Sequence, residues 1–251
     1  MIAILLLNKI VILSFLGRTI IQNMSASIKI ELNSKLFIRD PEHTVLGRNI
    51  VSESIIMIDE LGFEVFTFKK LAIKLKSTEA SIYRYFENKH KLLVYLISWY
   101  WVYVDYKITF NTHFIDDPQE KLKVIINIIS EVGELKSSYS HVNEALLYNI
   151  VVSESSKAFL TKEVDSDNKE GFFGEYKSLC HKIAKVVSEI NPSYPYPHAL
   201  VSTLFEASKK QVFFSQHLPS LTESRINRTD RSEIASFLNS LAFSAIFSSY
   251  K

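Results

Sequence analysis

Residues 67–93 read TFKKLAIKLKSTEASIYRYFENKHKLL, and their spacing sets the fold. Leu71, Ala72 and Leu75 recur at helical intervals behind Thr67, while Lys69, Lys70 and Lys74 fall on the outside. The pattern predicts a short helix with Thr67 as its N-cap. Lys76 and Ser77 then form a tight turn, and Thr78 can cap another short helix running to about Phe86. In that helix Ile82 and Phe86, four apart, share the buried side. Glu79, Ala80, Ser81, Arg84 and Tyr85 are left mostly on other faces, so two short helices meet across a short turn.

Upstream, Ile50, Val51, Ser54, Ile55, Ile58 and Leu61 repeat at helical spacing and Gly62 follows where a left-handed terminating residue is wanted, which predicts a first helix. Downstream, longer amphipathic stretches run from His90 to about Thr109, Pro118 to about Val132, His141 to about Phe159, Phe172 to about Ile190, Pro197 to about Gln216 and Asp230 to about Phe247. The expected fold is all-α with about nine helices. Asp116 to Pro118, Asp165 to Lys169, Asn191-Pro192, Pro195 to Pro197 and Leu218 to Ser220 read as connections. The whole chain of 251 residues has only 6 Gly and 6 Pro, too few for the frequent turns of a sandwich or barrel. A hydrophobic content of 47% with a single cysteine excludes disorder and a disulfide scaffold.

The 29 basic and 27 acidic residues nearly cancel, giving a net charge of +2. The distribution is uneven. Between Val65 and Lys91 stand Lys69, Lys70, Lys74, Lys76, Arg84, Lys89 and Lys91 against Glu79 and Glu87, a local +5 that leaves −3 for the remainder. Focused charge of this kind suits a polyanion, with a solvated helix face as the alternative.

The division expected is an apolar segment over 1–23, an arm over 24–45, a three-helix unit over 46–90 and a larger helical body over 91–251. Ile2 to Leu16 is shorter than a membrane span, carries Lys9 near its middle and lacks a basic region before it. Met24 offers an internal start, so residues 1–23 are expected to be a mis-called or dispensable segment without stable membrane association. In the arm, Lys29, Lys35 and Arg39 are either solvated or within reach of a nucleic-acid backbone.

A short helix, a turn and a second short helix with exposed polar residues is the helix-turn-helix arrangement, whose second helix enters the DNA major groove. Gly62-Phe63, Thr67, Leu71-Ala72, Thr78, Ile82 to Phe86, Asn88-Lys89 and Leu92-Leu93 sharpen it. With these residues, the segment from about Arg48 to Leu93 resembles the DNA-binding domain of the TetR/AcrR family of transcriptional regulators. Its Tyr-x-Tyr-Phe-x-Asn-Lys-x-x-Leu-Leu ending carries most of the likeness. The resemblance implies a cytoplasmic, dimeric regulator, a repressor released by a small apolar ligand, needing no cofactor. The alternative class is an all-helical adaptor or binding protein, anchored through residues 2–21, that never reads DNA.

Phosphate contacts supply much of duplex affinity, and side chains at base edges supply discrimination. Tyr83 and Tyr85 suit phosphate contacts, as the resembled family implies, with core packing as the other reading of Tyr83. Lys89, at the start of the fourth helix, adds its charge to a helix N-terminus that favours phosphate. Thr78 either bonds a phosphate or caps its helix. Glu79, Ala80, Ser81 and Arg84 are the base-reading candidates, with Lys69 reaching from the second helix. Arg84 suits guanine, Glu79 cytosine and Ala80 a thymine methyl, unless Arg84 instead pairs with Glu87. The sequence departs from the family at Lys76, where Gly is usual, and at Ser77, where an apolar residue is usual. If that turn needs a positive φ, Lys76 costs on the order of 1 kcal/mol.

In the body, the fourth helix carries Tyr95, Trp99, Tyr100, Trp101, Tyr103 and Tyr106. Trp99, Tyr103 and Tyr106 lie on one face and are either core or the lining of a ligand pocket. The last two helices carry Leu204, Phe205, Ala207, Ala235, Leu238, Leu241, Ala242 and Ala245. The resemblance implies that they pair with a second copy, which would set two recognition helices on a roughly palindromic operator. An enzyme is not expected. Cys180 and His181 are adjacent on a helix and point apart, and the His residues lack metal-ligand spacing.

Overall fold

Thr44, Thr67, Thr78 and Asn88 start four successive helices. Each turns its side-chain oxygen onto a backbone N–H of the first turn: Gly47 at 2.9 Å, Lys70 at 3.2 Å, Ser81 at 3.2 Å and Lys91 at 2.9 Å. Such a cap is worth about 1 kcal/mol, and four of them fix where short helices begin. The computed structural model describes residues 32–130, 141–223 and 232–248. The apolar segment over 1–23, Met24 and Lys29 lie outside the described residues, and with them the expected internal start and the alternative of an anchor through residues 2–21.

The four capped helices are α1 (Val45–Leu61), α2 (Phe68–Lys74), α3 (Glu79–Tyr83) and α4 (Lys89–Thr112). The body continues with α5 (Pro118–Ser130), α6 (Glu144–Glu154), α7 (Ser156–Phe159), α8 (Val164–Lys169), α9 (Gly174–Ile190), α10 (Pro197–His217) and α11 (Ser232–Phe247). Among the described residues there are eleven α-helices, three short 3₁₀ turns and no strand. The expected all-α fold is present.

The helix count exceeds about nine for two local reasons. The stretch expected to be one helix up to Phe159 turns at Ser155, whose carbonyl takes the Ala158 N–H three residues on at 3.0 Å, so α6 and α7 are separate. The polar segment around Asp165 to Lys169, read as a connection, is helix α8. Its one buried residue is Asp167, which no apolar periodicity could reveal.

Ile50, Val51, Ile55 and Ile58 of α1, Leu71 and Ala72 of α2, Ile82 of α3 and Phe86 close the core of the N-terminal unit. Gly62 ends α1 with φ 78°, as expected. Gly47 is required for a different reason: a Cβ there would lie 2.3 Å from the Pro41 carbonyl oxygen. The helix α4 is buried on almost every side and belongs to both units, packing against α5, α6 and α9. α11 packs on α5 and α10 through Ile234, Leu238, Ala242 and Ile246, a repeat of four that fills the monomer's own core.

Candidate nucleic-acid interface

α2 and α3 pack on each other, and the turn between them is set by two backbone bonds. The Ser77 N–H donates to Ala72 O at 2.9 Å and the Lys76 N–H to Ile73 O at 3.1 Å. This is a Schellman ending, which puts its residue after the C-cap in the left-handed region. That residue is Lys76, with φ 50°. The turn therefore keeps the conformation that suits glycine while carrying a lysine.

On α3, Ile82 is buried, and Ala80, Tyr83 and Arg84, at i, i+3 and i+4, form the exposed stripe opposite it. Glu79 and Ser81 are half-buried beside them. The helix is shorter than expected, ending at Tyr83, because the chain turns there. The Tyr85 N–H donates to Ile82 O at 2.8 Å, and Arg84 becomes the C-cap. On α2 the exposed stripe is Lys69, Lys70, Ile73 and Lys74, and Ile73 is 71% exposed. Thr78 caps α3, and its hydroxyl also shares a hydrogen with Ser81 Oγ at 2.8 Å. Tyr83 is 46% exposed and held edge-on by Phe68, ring centroids 5.1 Å apart. Its apolar body is thus anchored while part of it faces solvent. Arg84 makes no ion pair with Glu87.

Two residues expected at phosphate, Tyr85 and Lys89, make contacts within the chain. Tyr85 is only 3% exposed, and its hydroxyl shares a hydrogen with Thr44 Oγ1 at 2.8 Å, tying the end of α3 to the cap of α1. Arg39 lies over the Tyr85 ring at 5.6 Å, so this basic residue of the arm covers the unit rather than extending from it. Lys89 Nζ donates to the carbonyls of Phe63, Glu64 and Phe66 at 3.0, 3.2 and 3.3 Å and sits 4.7 Å from the Phe63 ring centre. It thus satisfies the turn between α1 and α2. Lys91 lies 3.7 Å from the centre of the Phe172 ring. Lys70 Nζ donates to Val65 O at 2.9 Å. The exposed basic groups that make no described side-chain hydrogen bond or ion pair are then Lys69, Lys74, Lys76 and Arg84. Lys74, with the exposed Ile73 beside it, was not singled out from sequence, although its place among the outward lysines of α2 was the available signal.

The unit is fastened to the body by polar contacts. Glu154 of α6 accepts the Phe63 N–H at 3.1 Å and pairs with Lys157 of α7 at 2.8 Å, and Lys157 also pairs with Glu64 at 3.1 Å. Lys157, by hydrogen bond and charge, holds the Glu64 carboxyl below its ordinary range. His90 of α4 meets Asp167 of α8 at 2.9 Å. Burial pushes the Glu42 carboxyl up, but His141, Tyr95 and Arg48 outweigh it and hold it below the usual range.

In the body, Trp99 and Tyr103 are buried and stacked, with centroids 5.8 Å apart, whereas Tyr106 is 45% exposed. A cavity of about 10 Å³ lies on the opposite face of α4, between α4, α7 and α9, with Val94, Ile97 and Trp101 among its walls. The Trp99, Tyr103 and Tyr106 face is therefore not the one that lines it, because positions 99 and 101 are about 200° apart on a helix. Cys180 is buried, and burial pushes its thiol up to about 11, which leaves too little thiolate for a nucleophile. His181 turns to His198 at 3.2 Å. Among the described residues no group of three metal ligands occurs, and no helix is long and apolar enough to cross a membrane.

No family model and no curated protein matches the chain. Solved structures do match in fold. The fatty acid degradation regulator FadR from Bacillus halodurans is 16% identical, with a TM-score of 0.54 over 80% of this chain and 98% of that one. AibR, solved with isovaleryl coenzyme A and operator DNA, is 15% identical, with a TM-score of 0.52 over 77% and 97%. The ketosteroid transcriptional regulator KstR2 of Mycobacterium tuberculosis is 13% identical, with a TM-score of 0.50 over 79% and 92%. The chain shares their all-helical fold across nearly their whole length.

Proposed function

We propose that this chain is a transcriptional regulator of the TetR/AcrR type, which binds operator DNA as a dimer and is released from it by a small, largely apolar ligand. The observation that carries the reading is the exposed stripe of α3. Ala80, Tyr83 and Arg84 stand on a helix anchored by Ile82, beside the exposed Lys69, Lys74 and Lys76. A duplex meets cations for its phosphates and, on the same short helix, a guanidinium suited to guanine and a methyl suited to thymine. The fold shared with AibR, whose structure contains operator DNA, supports this. No catalytic step is assigned to the chain.

A dimer is supported by the outer side of α11, where Phe237, Leu241 and Phe247 are 48, 37 and 55% exposed. Phe237 and Leu241 border the buried row of Ile234, Leu238, Ala242 and Ile246, and Phe247 lies across the helix from it, so one helix serves the monomer core with one face and offers apolar side chains to a partner copy with the rest. A twofold pair calls for a roughly palindromic site. A regulator of this kind works in the cytoplasm.

The purified protein, mixed with DNA from upstream of its own gene, should protect a roughly palindromic segment from cleavage. Arg84→Ala should then relax preference at particular base pairs, by about 1 to 3 kcal/mol. No sequence-selective complex in up to about 0.1 M salt, where phosphate contacts are still strong, sinks the reading.

A further inference from the structure

One residue of the cavity wall on α4, Trp101, carries an unmatched donor. Trp101 is 3% exposed, and its indole Nε1 has no acceptor among the described residues. The ring cannot easily turn to find one. Tyr176, Tyr100 and Phe205 hold it with centroids at 4.7, 5.0 and 5.1 Å. An indole nitrogen donates only, and a buried donor left unpaired is costly, so the position calls for an acceptor. The other polar groups of the wall are already used, because Ser98 Oγ donates to the Phe172 carbonyl at 3.3 Å and the Tyr176 hydroxyl is hydrogen-bonded with Cys180. The lining is otherwise apolar or aromatic and includes no charged side chain. A carboxylate or ammonium entering it would lose its hydration without gaining a counter-charge.

Building on the reading of the chain as a ligand-released regulator, we propose that this cavity is the closed form of its effector site. Its effector is a neutral, largely apolar molecule bearing one hydrogen-bond acceptor, such as a carbonyl oxygen, that takes the N–H of Trp101. At about 10 Å³ the cavity has room for about one water, so a larger guest must part its walls. Those walls are the ones fastened to the DNA-binding unit. Ala158 and Phe159 adjoin Lys157, which pairs with Glu64 and Glu154, and Glu154 takes the Phe63 N–H. Phe172 lies under Lys91 at the start of α4. Moving α7 from α4 therefore pulls on the turn that sets α2 and α3. A ligand that fits only the parted state shifts the protein toward it.

The test uses the full protein labelled with ¹⁵N at its two tryptophans and three probes: 2-heptanone, heptanoate and toluene. The two indole N–H resonances are assigned with Trp99→Phe. 2-Heptanone should move the Trp101 indole proton to lower field and bind at least ten-fold more tightly than heptanoate. Trp101→Phe should weaken the ketone at least five-fold and leave toluene within two-fold. The wild-type shift stands by itself if that variant does not fold. Heptanoate binding as tightly as the ketone, a response at Trp99 alone, or no binding by any probe overturns the proposal. Operator affinity is measured in parallel. Ketone binding that leaves it unchanged overturns the effector role, whereas ketone binding by a protein that selects no DNA removes the regulator reading instead.

Discussion

Lys69, Lys74 and Lys76 stand exposed along α2 and the turn after it, as does Arg84 at the end of α3, while Lys89 and Lys91 at the start of α4 are folded inward. All six belong to one run of positive charge. The first group has solvent in front of it. Lys89 meets three carbonyls, and Lys91 meets an aromatic face. The +5 of this segment therefore overstates the charge offered to a duplex, because a lysine next to orphaned carbonyls of a tight turn is worth more there than in water. The difference also separates the surroundings: one half of the run faces solvent, and the other half holds the turn before α2 and the start of α4 in place.

The largest expected effect comes from the inward half. Lys89→Met keeps the aliphatic stem over Phe63 but leaves the carbonyls of Phe63, Glu64 and Phe66 without their donor, at about 2 kcal/mol. Urea unfolding should show that loss. The salt dependence of DNA binding should stay where it was, and a slope smaller by about one would show that Lys89 reaches a phosphate in the complex after all.

The turn between the two short helices gives a smaller effect of opposite sign. Lys76 holds φ 50°, where a side chain costs about 1 kcal/mol and glycine costs none. Lys76→Gly relieves that strain, and the greater freedom of glycine in the unfolded chain offsets part of it, leaving a gain of about 0.5 kcal/mol. It should also lower the salt slope, since Lys76 belongs to the outward half. A more stable variant with an unchanged slope would remove Lys76 from the DNA-facing group.

Local chemistry made the N-terminal unit legible. The caps at Thr67 and Thr78, the stop at Gly62 and the unusual lysine at the left-handed position each depend on residues within one or two turns. The contacts that Tyr85 and Lys89 make within the chain were not legible because their partners are remote in sequence. Thr44 lies 41 residues from Tyr85, and Phe63 lies 26 from Lys89. In the body the difficulty was different. α4 is apolar nearly all round, so its sequence shows burial without showing which face meets which neighbour. Spacing therefore points to Trp99, Tyr103 and Tyr106, whereas packing puts Trp101 at the cavity. α8 was missed because a helix whose buried residue is an aspartate has no apolar stripe to betray it.

The smallest effect on the folded protein tests the outward half most directly. Lys74 is exposed near the end of α2, and its loss breaks no described contact, so Lys74→Ala should change stability by less than about 0.5 kcal/mol. Alanine is at least as good a helix former as lysine, so the helix itself does not weaken. If Lys74 faces a phosphate, the variant binds every sequence more weakly, and its salt slope falls by about one while base preference is kept. If the slope does not move, Lys74 belongs to the solvated surface. The outward half then narrows to Lys69, Lys76 and Arg84, and more of the affinity must come from α3 itself.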